Sequence, residues 1–143
     1  MSVKGLSVVG AIALAFGVGH WLGRESVVQA QSGNRVFELR MYTAAPGKLP
    51  EVHDMFRKYA APIFKRHGMT NVGYWAPTDD PASKDQFIYL LAHESRAAAE
   101  KSWAAFRVDK EWRAAREKID ANGRIVAKTE GIFMEPLDFS PMK

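Results

Sequence analysis

The sequence contains no cysteine. That excludes a disulfide framework, a thiolate metal site and a thiol nucleophile. It also lacks a glycine-rich phosphate loop, a nucleophile elbow and a Ser-His-Asp arrangement. The four histidines show no metal-ligand spacing: His53 and His67 stand 14 positions apart, with no acidic residue joining them in a ligand pattern. No metal is therefore expected. Positive charge is not concentrated either. Arg57, Lys58, Lys65 and Arg66 are interleaved with Glu51 and Asp54, and no nucleic-acid motif accompanies them, which argues against a nucleic-acid partner.

Charge is missing altogether from Leu6 to Val18, a run of 13 residues behind the lone Lys4. A bilayer core needs about 20 apolar residues on a helix, so the run is short for a stable span. The order of a basic start, an apolar core and small residues at Val28-Gln29-Ala30 reads as an export signal cleaved after Ala30. The alternative is an uncleaved membrane anchor over residues 6–23, with Trp21 at the interface. The expected location is periplasmic or secreted, and a membrane is a partner only if the leader is retained. After residues 1–30, Gln31 to Asn34 reads as a short tether, and residues 35–143 as one domain. The leader carries a net charge of +1 and the whole chain +4, which leaves a mildly basic +3 for the remainder.

The domain alternates two periodicities. Val36 to Tyr42 has a period of two, with Phe37, Leu39 and Met41 on one face and Glu38, Arg40 and Tyr42 on the other. After the turn at Pro46-Gly47, Leu49, Val52, Phe56, Tyr59 and Ile63 form one helical stripe. A kink is expected at Pro62 and a stop at Gly68. Asn71 to Ala76 and Gln86 to His93 read as strands, the second apolar on both faces. Ser95 and Asp109 are suited to cap two successive helices, and Gly123 ends the second. Arg124 to Pro136 holds the last strand, best formed at 125–127 or 132–134. The order β-α-β-β-α-β predicts an α+β, ferredoxin-like fold: a four-stranded antiparallel sheet with helices on one face. The uncovered apolar face predicts a homodimer, sheet against sheet.

Four short stretches carry a family resemblance: Val36-Phe37-Glu38-Leu39-Arg40-Met41-Tyr42, Pro46-Gly47-Lys48, Phe64-Lys65-Arg66-His67-Gly68 and Asp109-Lys110-Glu111-Trp112. Together they resemble the NIPSNAP family over roughly Arg35 to Pro141. Lys110 stands where relatives often carry proline, and Leu91-Ala92-His93 where they often carry Trp-Arg-Tyr. The resemblance implies a dimeric α/β barrel, in which two ferredoxin-like sheets close into one barrel. The family has no settled reaction.

The candidate pocket residues are Glu38, Arg40, Tyr42, Tyr74, Trp75, Tyr89 and His93. If Phe37, Leu39 and Met41 face the helices, then Glu38, Arg40 and Tyr42 point away from them, into the barrel. Charges there must be paired or wet. A strand-end His93 has the chemistry of a general base near neutral pH, with Glu38 the other weak catalytic candidate. Three functional expectations follow. The first is a small-molecule-binding or interaction module without cofactor. The second, implied by relatives of the barrel fold, is a cofactor-free monooxygenase or isomerase on a small aromatic or quinone-like substrate. The third, also implied by such relatives, is haem binding through His93.

Overall fold

A computed structural model describes residues 35–143; the leader, the cleavage point after Ala30, the Trp21 anchor and the tether lie outside the described residues. Strand β1 runs Val36–Ala44, β2 Thr70–Trp75, β3 Gln86–His93 and β4 Val126–Met134. They form one sheet in the order β2-β3-β1-β4, with every neighbouring pair antiparallel. The ferredoxin-like topology expected from the sequence is the one observed. The two candidate stretches for the last strand are opposite ends of β4.

Pro62 shapes the first helical layer. A proline inside a helix offers no N–H to the carbonyl one turn back. The chain answers with a wide turn just before the proline. Helix α1 (Leu49–Met55) passes through a single π turn, Phe56–Ala60, into α2 (Ala61–Arg66). The Ala61 N–H donates to the Phe56 carbonyl, five residues back. Asn71 on β2 steadies the turn, its Nδ2 donating to the Ala61 carbonyl at 2.9 Å. Gly68 then closes α2 at φ +79°, a left-handed conformation that glycine adopts without a Cβ penalty.

The second layer starts as the capping residues predict. Ser95 Oγ accepts the Ala98 N–H at 3.0 Å and opens α3 (Arg96–Val108). Asp109 Oδ1 accepts the N–H groups of Glu111 and Trp112 and opens α4 (Lys110–Asp120). The other carboxylate oxygen of Asp109 accepts from Arg66 at 2.9 Å and sits 2.8 Å from His67 Nε2. The Arg66 guanidinium, then His67 and the Trp112 N–H, hold the Asp109 carboxyl well below the usual carboxylate range. Two of the short stretches that carried the family resemblance thus form one clasp between the end of α2 and the start of α4.

The core lies between the helices and one face of the sheet. Val52, Met55, Phe56, Ile63, Phe64 and Phe106 pack on Phe87, Tyr89 and Leu91 of β3. One expectation is overturned here. On β1 it is Glu38, Arg40 and Tyr42 that face the helices: Glu38 bonds to Trp103 on α3, and the Tyr42 ring meets Phe56 at 5.3 Å. Phe37, Leu39 and Met41 lie on the opposite face. The reason is visible in the register. Leu39 pairs with Leu90 and Ile132, and Met41 with Ile88, so the odd positions of β1 complete a second apolar layer across three strands. The even positions find polar partners only on the helix side.

The outer face stays partly open. Ile132 on the β4 edge is 52 % exposed and Trp75 on the β2 edge 51 %, and Met134, Leu137 and Phe139 are exposed as well. The Trp75 indole lies back over Gly73, where an added Cβ would stand 2.5 Å from the ring. No helix among the described residues is long and apolar enough to cross a membrane.

Candidate functional site

The seven candidate residues do not converge on one pocket. They divide into a polar cluster under α3, an aromatic cleft beside α1, and one residue between them.

The polar cluster is built on Glu38, which is 1 % exposed. Its Oε2 accepts from Trp103 Nε1 at 2.6 Å and lies 3.0 Å from His93 Nε2. Its Oε1 accepts from Arg40 at 2.9 Å. An ionised carboxylate only accepts, so the His93 proton sits on Nε2. Burial alone would push the Glu38 carboxyl up; the bonds from His93, Trp103 and Arg40 outweigh it and hold its pKa below the ordinary value. Arg40 is fixed in turn. Its guanidinium carbon lies 4.7 Å from the Trp103 ring centre and 5.8 Å from that of Tyr42. Burial pulls its pKa down; the neighbouring Tyr89 and Tyr42 oxygens and the Glu38 carboxylate raise it by more. Across the strand pair, Gly131 is its register partner, and an added Cβ there would sit 3.3 Å from Arg40 Nη1. Glycine leaves room for the guanidinium.

This cluster floors an open cleft of about 400 Å³ between α3 and the β1–β4 edge. Glu38, Arg40 and Tyr42 line it from below, and Trp103, Arg96, Arg107 and Phe133 from the sides. Arg40 keeps 21 % of its side chain exposed.

The aromatic cleft, about 460 Å³, lies between α1, the π turn and the β2 end of the sheet; Tyr74 and Trp75 are on its wall with His53 and Phe87. His53 packs its ring 5.3 Å from Phe87. Tyr89 belongs to neither cleft. It is completely buried, with Phe56 at 4.8 Å and Tyr42 at 5.5 Å. Burial pushes its phenol well up, and that of Tyr74 up to about 12, so neither ionises near neutral pH.

His93 does not reach either cleft. Its side chain is buried, Nε2 is held by Glu38, and Nδ1 is enclosed without a partner. The residues present therefore do not fit an axial haem ligand at this position, nor a base that meets a substrate. Sequence reasoning missed Trp103 and Gly131. Both left a signal. A buried indole N–H needs an acceptor, and the only acidic side chain on the facing strand is Glu38. An isolated glycine within a strand marks a close approach.

Comparison with known proteins agrees with the fold. The family model described as NIPSNAP matches residues 37–141. The chain belongs to the NIPSNAP family. A NIPSNAP family protein from Agrobacterium tumefaciens has the same fold, with a TM-score of 0.66 at 22 % identity over 76 % of this chain and 99 % of its own. An uncharacterised NIPSNAP domain protein from Burkholderia xenovorans gives 0.63 at 19 %, over 74 % and 98 %. A Streptomyces coelicolor monooxygenase in complex with nanaomycin D is more distant, at 0.52 and 15 %, over 73 % and 88 %. No curated protein matches the sequence.

Proposed function

We propose that this NIPSNAP protein is an exported, homodimeric module that binds a small molecule in the cleft between α3 and the β1–β4 edge. One observation carries the binding reading: Arg40 is held rigidly at the cleft floor by Glu38, Trp103 and Tyr42, yet keeps part of its side chain exposed. A preorganised polar group in an aromatic cleft of roughly 300–1,000 Å³ is the usual form of a ligand site. The cluster suits binding better than proton transfer. Glu38, the carboxylate on the floor, has both oxygens engaged and a lowered pKa, which makes it a poor base.

The outer sheet face supports the dimer. Its half-buried Leu39, Met41, Ile88 and Leu90 continue into exposed Ile132, Met134 and Trp75, a contiguous apolar surface of the kind that marks association. The opening segment of the chain supports export, on the pattern of charge and apolar run alone.

Native mass spectrometry of the purified full-length product tests all three parts. The expected result is a chain beginning at Gln31, a dimer at micromolar concentration, and a small-molecule adduct lost on denaturation. Ile132→Glu, at an exposed position, is expected to give the monomer without unfolding. A wild-type monomer at that concentration would remove the dimer, and an intact Met1 or Ser2 would replace the free form with an anchored one. A protein that carries no adduct and takes up nothing from a small-molecule panel would overturn the binding reading.

A further inference from the structure

We infer that the ligand of the α3 cleft is a planar aromatic anion, such as an aryl carboxylate, with Arg40 as its principal charge partner. The inference rests on the binding reading above and adds the chemistry of the occupant.

Charge balance around the cleft comes first. Three guanidinium groups line it, from Arg40, Arg96 and Arg107, against two carboxylates, from Glu38 and Glu100. Glu38 is already met by three donors on its two oxygens, one of them the charged Arg40, which leaves it little attraction for a further cation. Glu100 is committed to Arg96 at 3.3 Å, in a pair exposed on both sides and therefore weak. Arg107 has no ion-pair partner among the described residues, and the cleft keeps a surplus of positive charge.

Geometry comes second. Arg40 uses Nη1 on Glu38, and its Nε is enclosed without a partner. One edge of the fork is spoken for, and the part that remains exposed is turned to the cleft. That leaves Nη2 as the uncommitted donor of Arg40, and a charge-assisted bond from it to a carboxylate is stronger than one to a neutral acceptor.

The walls come third. Tyr42, Trp103, Phe106 and Phe133 present ring surface. Arg96 lies over the Phe133 ring with its guanidinium carbon 3.5 Å from the centroid. A flat ring entering between Trp103 and this Arg96–Phe133 stack would meet apolar and cationic faces, while its carboxylate turns down to Arg40. A cationic ligand would face the surplus charge, and an aliphatic anion would waste the rings.

Three probes of one shape and different charge test this by calorimetry at about 0.1 M salt, where exposed charges are screened beyond roughly 10 Å: 2-naphthoate, 2-naphthol and 2-naphthylmethylammonium. The expected order is naphthoate tighter than naphthol by at least about tenfold, or 1.4 kcal/mol, with no binding of the ammonium. Arg40→Lys keeps the charge but has a single ammonium, held by Glu38, where arginine has a second NH2 group to spare, and is expected to weaken naphthoate by at least about tenfold. Arg107→Gln, at an exposed position, is expected to weaken naphthoate about threefold and leave naphthol unchanged. Circular dichroism checks that both variants fold.

Equal affinity for naphthol and naphthoate, tighter binding of the ammonium, or naphthoate affinity untouched by both variants would overturn the anion. In those cases a probe still binds, so the cleft itself survives as a ligand site. Failure of all three probes at millimolar concentration also overturns the aromatic anion, and the separate absence of any co-purifying adduct would then overturn the site.

Discussion

Glu38→Gln is expected to lower stability by about 3–5 kcal/mol, the cost of stranding one partner of a buried, bonded ion pair. The substitution keeps the volume and removes the charge. Glutamine has one carbonyl oxygen, whereas Trp103, His93 and Arg40 present three donors to the two carboxylate oxygens. Whichever way the amide turns, its NH2 faces at least one donor, and Arg40 loses its counter-charge. Urea denaturation at neutral pH measures the loss. A pH series adds a sign. Because folding lowers the Glu38 pKa, its contribution is present above the unfolded value, near 4.5, and is lost as pH falls through the lower folded value. Wild type should therefore lose stability on acidification below about pH 4.5, and the difference between wild type and Glu38→Gln should shrink there. Asp109, with its own lowered pKa, supplies a background slope common to both proteins. A difference that stays constant down to pH 2 would show that the carboxylate is not the source.

Phe56→Ala is expected to cost about as much, roughly 3–5 kcal/mol, by a mechanism with no charge in it. Phe56 is 3 % exposed at the start of the π turn. Its ring meets Phe87 at 4.5 Å, Tyr89 at 4.8 Å and Tyr42 at 5.3 Å. These neighbours belong to β3 and β1, and each is fixed by further rings, so collapse into the vacated space is limited. The urea midpoint should fall with an unchanged slope, and the loss should be independent of pH. Phe56→Leu should recover most of it. Losses below about 1 kcal/mol for the alanine variant would mean that the aromatic cluster repacks freely, and that the π turn is not pinned by it.

Much of the fold could be read in the sequence, because each element carries its own local signal. The period-two stretch of β1, Ser95 and Asp109 as caps, and Gly68 as a stop all rest on interactions within a few residues, and all are found where expected. What escaped was non-local. Pro62 announces that a hydrogen bond is lost, but not that the helix widens into a π turn whose Ala61 carbonyl is met by Asn71, ten residues on from Ala61, on β2. The orientation of β1 escaped for the same reason. Alternation defines two faces and does not say which one meets the helices. The usual assumption, apolar inward, fails because β3 is apolar on both sides and because Trp103, 65 residues from Glu38, brings an N–H to the helix side. The site suffered most: Tyr74 and Trp75 are strand neighbours of the cluster but open onto another cleft, and His93 is walled in by the contact that makes it noticeable.

The alternation of β1 divides labour along nine residues. Its even positions hold the Glu38 cluster, and its odd positions contribute to the apolar outer layer. On the function proposed above, changes at Leu39 or Met41 and changes at Arg40 or Tyr42 should then sort into two separate classes of defect, one in assembly and one in ligand retention, though the positions alternate along a single strand. A one-residue slip in the pairing register of β1 would exchange the two faces together, carrying the carboxylate cluster to the outer face and leucine to the helix side. A slip in register would thus spoil both faces at once, whereas a substitution touches one.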